Sequence, residues 1–119
     1  MIFIPGNVPS SKNSRQWTGK YLISSKATRQ YIKDTGYLWI SGKPKFLKMI
    51  KGKEKPYKVV LGFVRGTRHK FDYHNACQIV FDLMTECNYI DDDNADEVIP
   101  VFEPYQYNKD NPGVYISVL

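Results

Sequence analysis

Phe71-Asp72-Tyr73-His74-Asn75-Ala76-Cys77-Gln78-Ile79-Val80-Phe81-Asp82-Leu83-Met84 reads as one amphipathic helix with a carboxylate at its start. Ala76, Ile79, Val80, Leu83, Met84 and Cys87 recur at i, i+3, i+4 and i+7, the spacing of a stripe that faces a core. Asn75, Gln78, Asp82 and Glu86 form a polar stripe beside it, continuous with Asp72 and His74. Asp91-Asp92-Asp93-Asn94 follows the helix. A helix from His74 to about Glu86 is about 18 Å long, and the extended residues after it retrace about 17 Å. The chain can therefore double back and bring Asp92 or Asp93 near Asp72. Carboxylates that fold towards one another are how proteins hold Mg²⁺ beside a phosphate. Each half also has an ordinary reading: Asp72 as a helix cap, the acidic run as a polar turn.

Working outward, the clearest strand is Tyr57–Val64, where β-branched and aromatic residues follow one another. Residues 96–102 and 113–119 supply two more, and residues 1–5 open the chain with a short one. Residues 6–19 are polar and read as a loop, and 20–24 as a brief strand. Ser24 or Ser25 offers a cap for a helix from about Lys26, with Tyr31, Thr35, Leu38 and Trp39 on its inner stripe and Tyr37 and Ile40 widening it. Gly42 and Pro44 are expected to interrupt this helix, leaving 46–50 as a last turn or a loop and 43–58 as a Lys-rich hairpin. The pattern predicts an α/β (α+β) fold: a single two-layer domain over 1–119, with a small mixed β-sheet and two main helices packed on one face.

Charge divides the chain. Residues 1–70 hold 16 of the 17 Lys and Arg with only Asp34 and Glu54 as acids, a balance of +14, whereas 71–119 carry −9. The basic part suits backbone phosphates and the acidic part a metal ion. No apolar run approaches the length of a membrane span, and residues 1–5 are too short for a signal peptide. Cys77 and Cys87 have no metal-ligand spacing and are too far apart for a disulfide, as expected of thiols in a reducing cytoplasm. A P-loop, a nucleophile elbow and a zinc-spaced Cys/His set are all missing from the sequence. Asp92, Asn94, Asp96 and Glu103 match positions of a calcium loop, but Glu97 stands where that loop needs Gly.

Phe71-Asp72-Tyr73-His74-Asn75, then Phe81-Asp82-Leu83, then Ile90-Asp91-Asp92-Asp93 resembles the signature of the RusA-like Holliday junction resolvases. Pro9-Ser10-Ser11-Lys12-Asn13 is similar, more loosely, to that family's N-terminal loop. The resemblance implies a homodimer that binds a four-way DNA junction and nicks one strand per subunit with Mg²⁺ or Mn²⁺, in phage or prophage recombination and repair. It assigns the metal to Asp72, Asp92 and Asp93, with His74 as a further ligand. His74 stands where the family has a second Asp, and Gln78 where it has a catalytic Lys. Asp72, His74, Gln78 and Asp93 are thus the expected catalytic set, supported by Asn75 and Asp82. Lys12, Arg15, Arg65, Arg68, His69 and Lys70 are the expected DNA contacts. The two replacements also define an alternative: a junction-binding protein of the same fold in which catalysis is impaired.

Overall fold

The computed structural model describes residues 1–10 and 26–119 in full, and the backbone of 15–17 and 22–24. The elements run β1 (Ile2–Pro5), β2 (Arg15–Trp17), β3 (Leu22–Ser24), α1 (Lys26–Ile50), β4 (Tyr57–Arg65), α2 (Tyr73–Glu86), β5 (Val98–Phe102), β6 (Gln106–Tyr107) and β7 (Gly113–Val118). β2 and β3 form a separate antiparallel pair, so the segment expected to be only a loop contributes a strand. The main sheet runs β1-β7-β4-β5. β7 is antiparallel to both of its neighbours, and β5 is parallel to β4. Beyond β5, β6 continues along the same edge, pairing with the last residues of β4. The result is the expected mixed sheet.

Alternation along the strands explains the two layers. Ile2, Ile4, Val59, Leu61, Phe63, Val114 and Ile116 are all buried and share one face with the helices. Tyr115, on the other face, is left exposed. α1 turns Tyr31, Thr35 and Trp39 inward, as its spacing predicts, whereas Tyr37 and Ile40 lie on the outside at 67% exposure. They belong to the solvent side of the helix, not to a wider core stripe.

α1 does not stop at Gly42. It continues through Pro44 to Ile50, so the expected Lys-rich hairpin is instead the end of a helix and a short connection. Proline has no N–H and its ring crowds the preceding turn, a cost that an isolated helix would not bear. Here Phe46 lies just beyond it, fully buried, with its ring 5.2 Å from that of Tyr89. The Tyr89 hydroxyl in turn donates to the Trp39 carbonyl. Tertiary packing on both sides of Pro44 thus holds the helix together where local propensity would end it.

α2 begins and ends where its sequence predicts. Its apolar side is broader than the expected stripe, since Cys77 and Phe81 are buried along with Ala76, Ile79, Val80, Leu83 and Met84. At its end, Cys87 N–H donates to Leu83 and Tyr89 N–H to Met84. Between them Asn88 takes φ +62°, the left-handed conformation that reverses a chain after a helix and that Asn tolerates better than most residues. Tyr89 and Ile90 then plug into the core. This reversal aims the acidic run back along α2. Among the described residues no helix is long and apolar enough to cross a membrane.

Candidate active site

Asp72 caps α2. Its backbone is extended (φ −121°, ψ 114°) and its carboxylate accepts the His74 N–H at 2.9 Å. One orphan donor of the first helical turn is satisfied, and the negative charge sits at the positive end of the helix dipole. The side chain is half-buried, whereas that of His74 points to solvent.

The three aspartates of the returning turn go in three directions. Asp91 pairs with Lys55 at 2.9 Å, and the same ammonium reaches Glu97 at 2.7 Å, tying the α1–β4 connection to the acidic run. Asp92 folds onto its own turn, accepting from Asp93 N–H at 2.8 Å and from the Asn94 amide at 3.0 Å. These bonds hold its carboxyl below the usual carboxylate range, the Asp93 N–H first. Asp93, half-buried, reaches α2. It accepts from the Gln78 amide at 3.3 Å, and that same nitrogen donates to Asp82 at 2.7 Å.

The chain therefore doubles back as the spacing allows, but the aspartate that Asp93 meets is Asp82, through Gln78. Gln78 lies six residues beyond Asp72, about 9 Å along the helix axis. Asp72, His74, Asp92 and Asp93 do not gather as one ligand set. Among the described residues no three His, Cys, Asp or Glu side chains stand close enough to share an ion. A Mg²⁺ ion shared with a substrate needs less than a closed protein cage, because one or two carboxylates and the phosphate oxygens can suffice. Asp93 and Asp82, both held by Gln78, fit that smaller requirement.

Cys77 lies directly behind this pair. Burial first, and then the charges of Asp93 and Asp82, push its thiol up to about 12. A thiol so shifted stays protonated and unreactive at neutral pH. Cys77 is expected to resist iodoacetamide in the folded protein at pH 8 and to react once urea is added, as read by intact mass. The linkage has a definite sign. The contribution to stability is complete below the unfolded thiol's pKa, near 8.5, and falls as pH rises towards about 12.

The basic residues separate into two kinds. Arg65, expected to meet phosphate, is 4% exposed. Its guanidinium donates to the Val8 carbonyl and, at 3.4 Å, to the Ser10 hydroxyl, and it lies 4.7 Å above the Phe71 ring. A buried guanidinium occupied in this way holds the fold and does not contact a DNA backbone. Gly66 N–H donates to the Asn7 side chain and the Asn75 amide to the Ser10 carbonyl at 3.2 Å. The segment after β1 is thus fastened beside the first turn of α2, a role for Asn75 that its position alone does not announce. Arg68, His69 and Lys70 are exposed next to that turn. Lys12 and the side chain of Arg15 lie outside the described residues.

Sequence reasoning missed Lys55, the partners of Ser10, and Tyr107, whose ring lies under the Arg68 guanidinium. Lys55 could have been suspected only from its charge, and the partners of Ser10 are remote in the chain. Comparison with known protein families and with curated proteins finds no match.

Proposed function

We propose that this chain is a structure-selective endodeoxyribonuclease that nicks branched DNA, four-way junctions above all, with Mg²⁺ or Mn²⁺. The observation that carries this reading is the Gln78 amide bonded to both Asp82 and Asp93. It brings the acidic run back onto the helix headed by Asp72, which supports a layout like that of the RusA-like resolvases. Asp93 and Asp82, drawn together by Gln78, are the carboxylates that would hold the ion, and Asp72 and His74, farther along at the head of α2, would face the substrate phosphate. A bound divalent ion would polarise the phosphodiester and acidify a coordinated water. Gln78 sets the position of Asp93, Asn75 fastens the neighbouring segment, and Arg68, His69 and Lys70 neutralise backbone phosphates. A homodimer would place two such sites on one junction and account for paired nicks. Free Cys77 and Cys87 suit a cytoplasmic protein.

A second reading keeps the DNA and removes the chemistry. Gln78 is neutral and already bonded to two carboxylates, so it offers no positive charge to a departing oxygen. On this reading the chain binds junctions without cutting them. A synthetic four-way junction incubated beside its matching duplex, with Mg²⁺, Mn²⁺ or chelator, separates the two. Paired, metal-dependent nicks confined to the junction are the expected result. Junction-selective binding with no nick in any metal supports the second reading, and equal affinity for junction and duplex overturns both.

A further inference from the structure

We propose that Tyr105 and Tyr107, with Arg68 laid over the latter, form a stacking platform for an unpaired nucleobase beside α2. The proposal deepens the nucleic-acid reading above and rests on it.

Tyr105 is 52% exposed and Tyr107 is 40% exposed. Tyr107 is paired with Arg65 in β6, and Tyr105, just before that strand, packs on Phe71, the ring beneath Arg65, so both tyrosines lie on the same side of the sheet. Single exposed aromatic rings are ordinary on a protein surface. These two differ in being held from beneath. The Phe71 ring packs against Tyr105 at 5.3 Å and against Tyr73 at 4.8 Å. The Tyr73 hydroxyl accepts the Tyr105 N–H at 2.8 Å and donates to the Glu103 carbonyl at 3.2 Å. β6 is itself anchored to the end of β4 through Val64 and Arg65. The backbone under the rings is thus fixed by hydrogen bonds, which lowers the entropy lost when a ligand stacks on them.

Charge selects the partner. The Arg68 guanidinium stands 4.0 Å from the Tyr107 ring centroid, a cation–π arrangement. Among the described residues it has no carboxylate partner, and His69 and Lys70 are exposed beside it. The segment from Arg65 to Phe71 contains no acid. Glu103, the acid nearest to Tyr105 in sequence, directs its carboxylate towards Gly62, on the side of the sheet that carries Tyr115. Aromatic faces with an arginine and a neighbouring cationic strip are the combination that holds single strands: rings take the bases, cations the phosphates. Phe71 immediately precedes Asp72, so a base stacked there would lie next to the carboxylate at the head of α2. An unpaired base at a branch point is such a ligand, and a fully paired duplex offers none.

The test compares two strands of equal charge. A twelve-residue oligothymidylate and an abasic strand of the same length are titrated onto the full chain in chelator, so that no cutting intervenes. The wild type is expected to prefer the base-bearing strand by about tenfold. Tyr107→Ala and Tyr105→Ala should each erase most of that preference while leaving the affinity for the abasic strand unchanged, and Tyr115→Ala should leave both intact. A second readout needs no variant: 2-aminopurine placed in the strand should be quenched on binding to the wild type. Equal affinity of the wild type for the two strands, with no quenching, overturns the proposal. Junction nicking that survives that result leaves the nuclease reading standing. A clear base preference in a protein that never nicks a junction leaves the platform standing and removes the nuclease.

Discussion

Asp72→Asn is expected to lower junction nicking by at least about a hundredfold, a size typical of losing one essential charged group at a reacting phosphate. The folded state should barely notice. Asn caps helices as well as Asp does, and the extended backbone at this position with its bond to His74 N–H suits either residue. Asp72→Ala provides the contrast, because it removes the cap as well and should cost a further ~1 kcal/mol of stability. Nicking rates and thermal midpoints of the two variants, measured together, separate chemistry from capping. A full-rate Asp72→Asn protein would remove Asp72 from the catalytic set and return it to a purely structural role.

Phe46→Ala should have the largest effect on stability, about 3–5 kcal/mol. A domain of this size has only about 5–15 kcal/mol in hand. The side chain is completely buried, and its removal leaves a cavity beside Tyr89 that the helix cannot close without moving. The loss should be concentrated beyond Pro44. Hydrogen exchange of the amides from Lys45 to Ile50 should accelerate well ahead of those around Tyr31 and Thr35. Urea titration gives the total cost and exchange gives its location. A change below 1 kcal/mol would mean that the last two turns of α1 stand without this anchor.

Much of the architecture is written in local patterns. The period of α2, the β-branched run of β4 and the Pro-Gly that ends β1 act over a few residues, and each element appears where its spacing indicates. Pro44 shows where such reasoning stops. Its local cost is legible in the sequence, but the compensation comes from Tyr89, more than forty residues away. The site divides in the same manner. Asp72 could be recognised as a cap from its place before an amphipathic run, and the return of the acidic turn followed from chain length. Which aspartate Asp93 would meet depended on Asn88 and on the burial of Tyr89 and Ile90, which together set the depth of the reversal. Charge alone does not reveal that Arg65 is buried with Val8 and Ser10 close to it. Tyr105 and Tyr107 passed unnoticed because an isolated pair of tyrosines carries no motif.

The position of β7 bears on how such a chain reaches its folded form. It lies between β1 and β4, so β1 hydrogen-bonds to β7 and, among the described residues, has no other neighbour in the sheet. More than a hundred residues must be available before Ile2 can find Ile116. Closing so long a loop is entropically slow, and a newly made β1 would meanwhile present an apolar, unsatisfied edge to whatever is nearby. Early cooperativity should therefore belong to α2 and β4, with the amino-terminal strand joining last. Shortening the chain within β7 would strip β1 of its partner and turn one side of β4 into an open edge, since β4 would keep only β5 and β6.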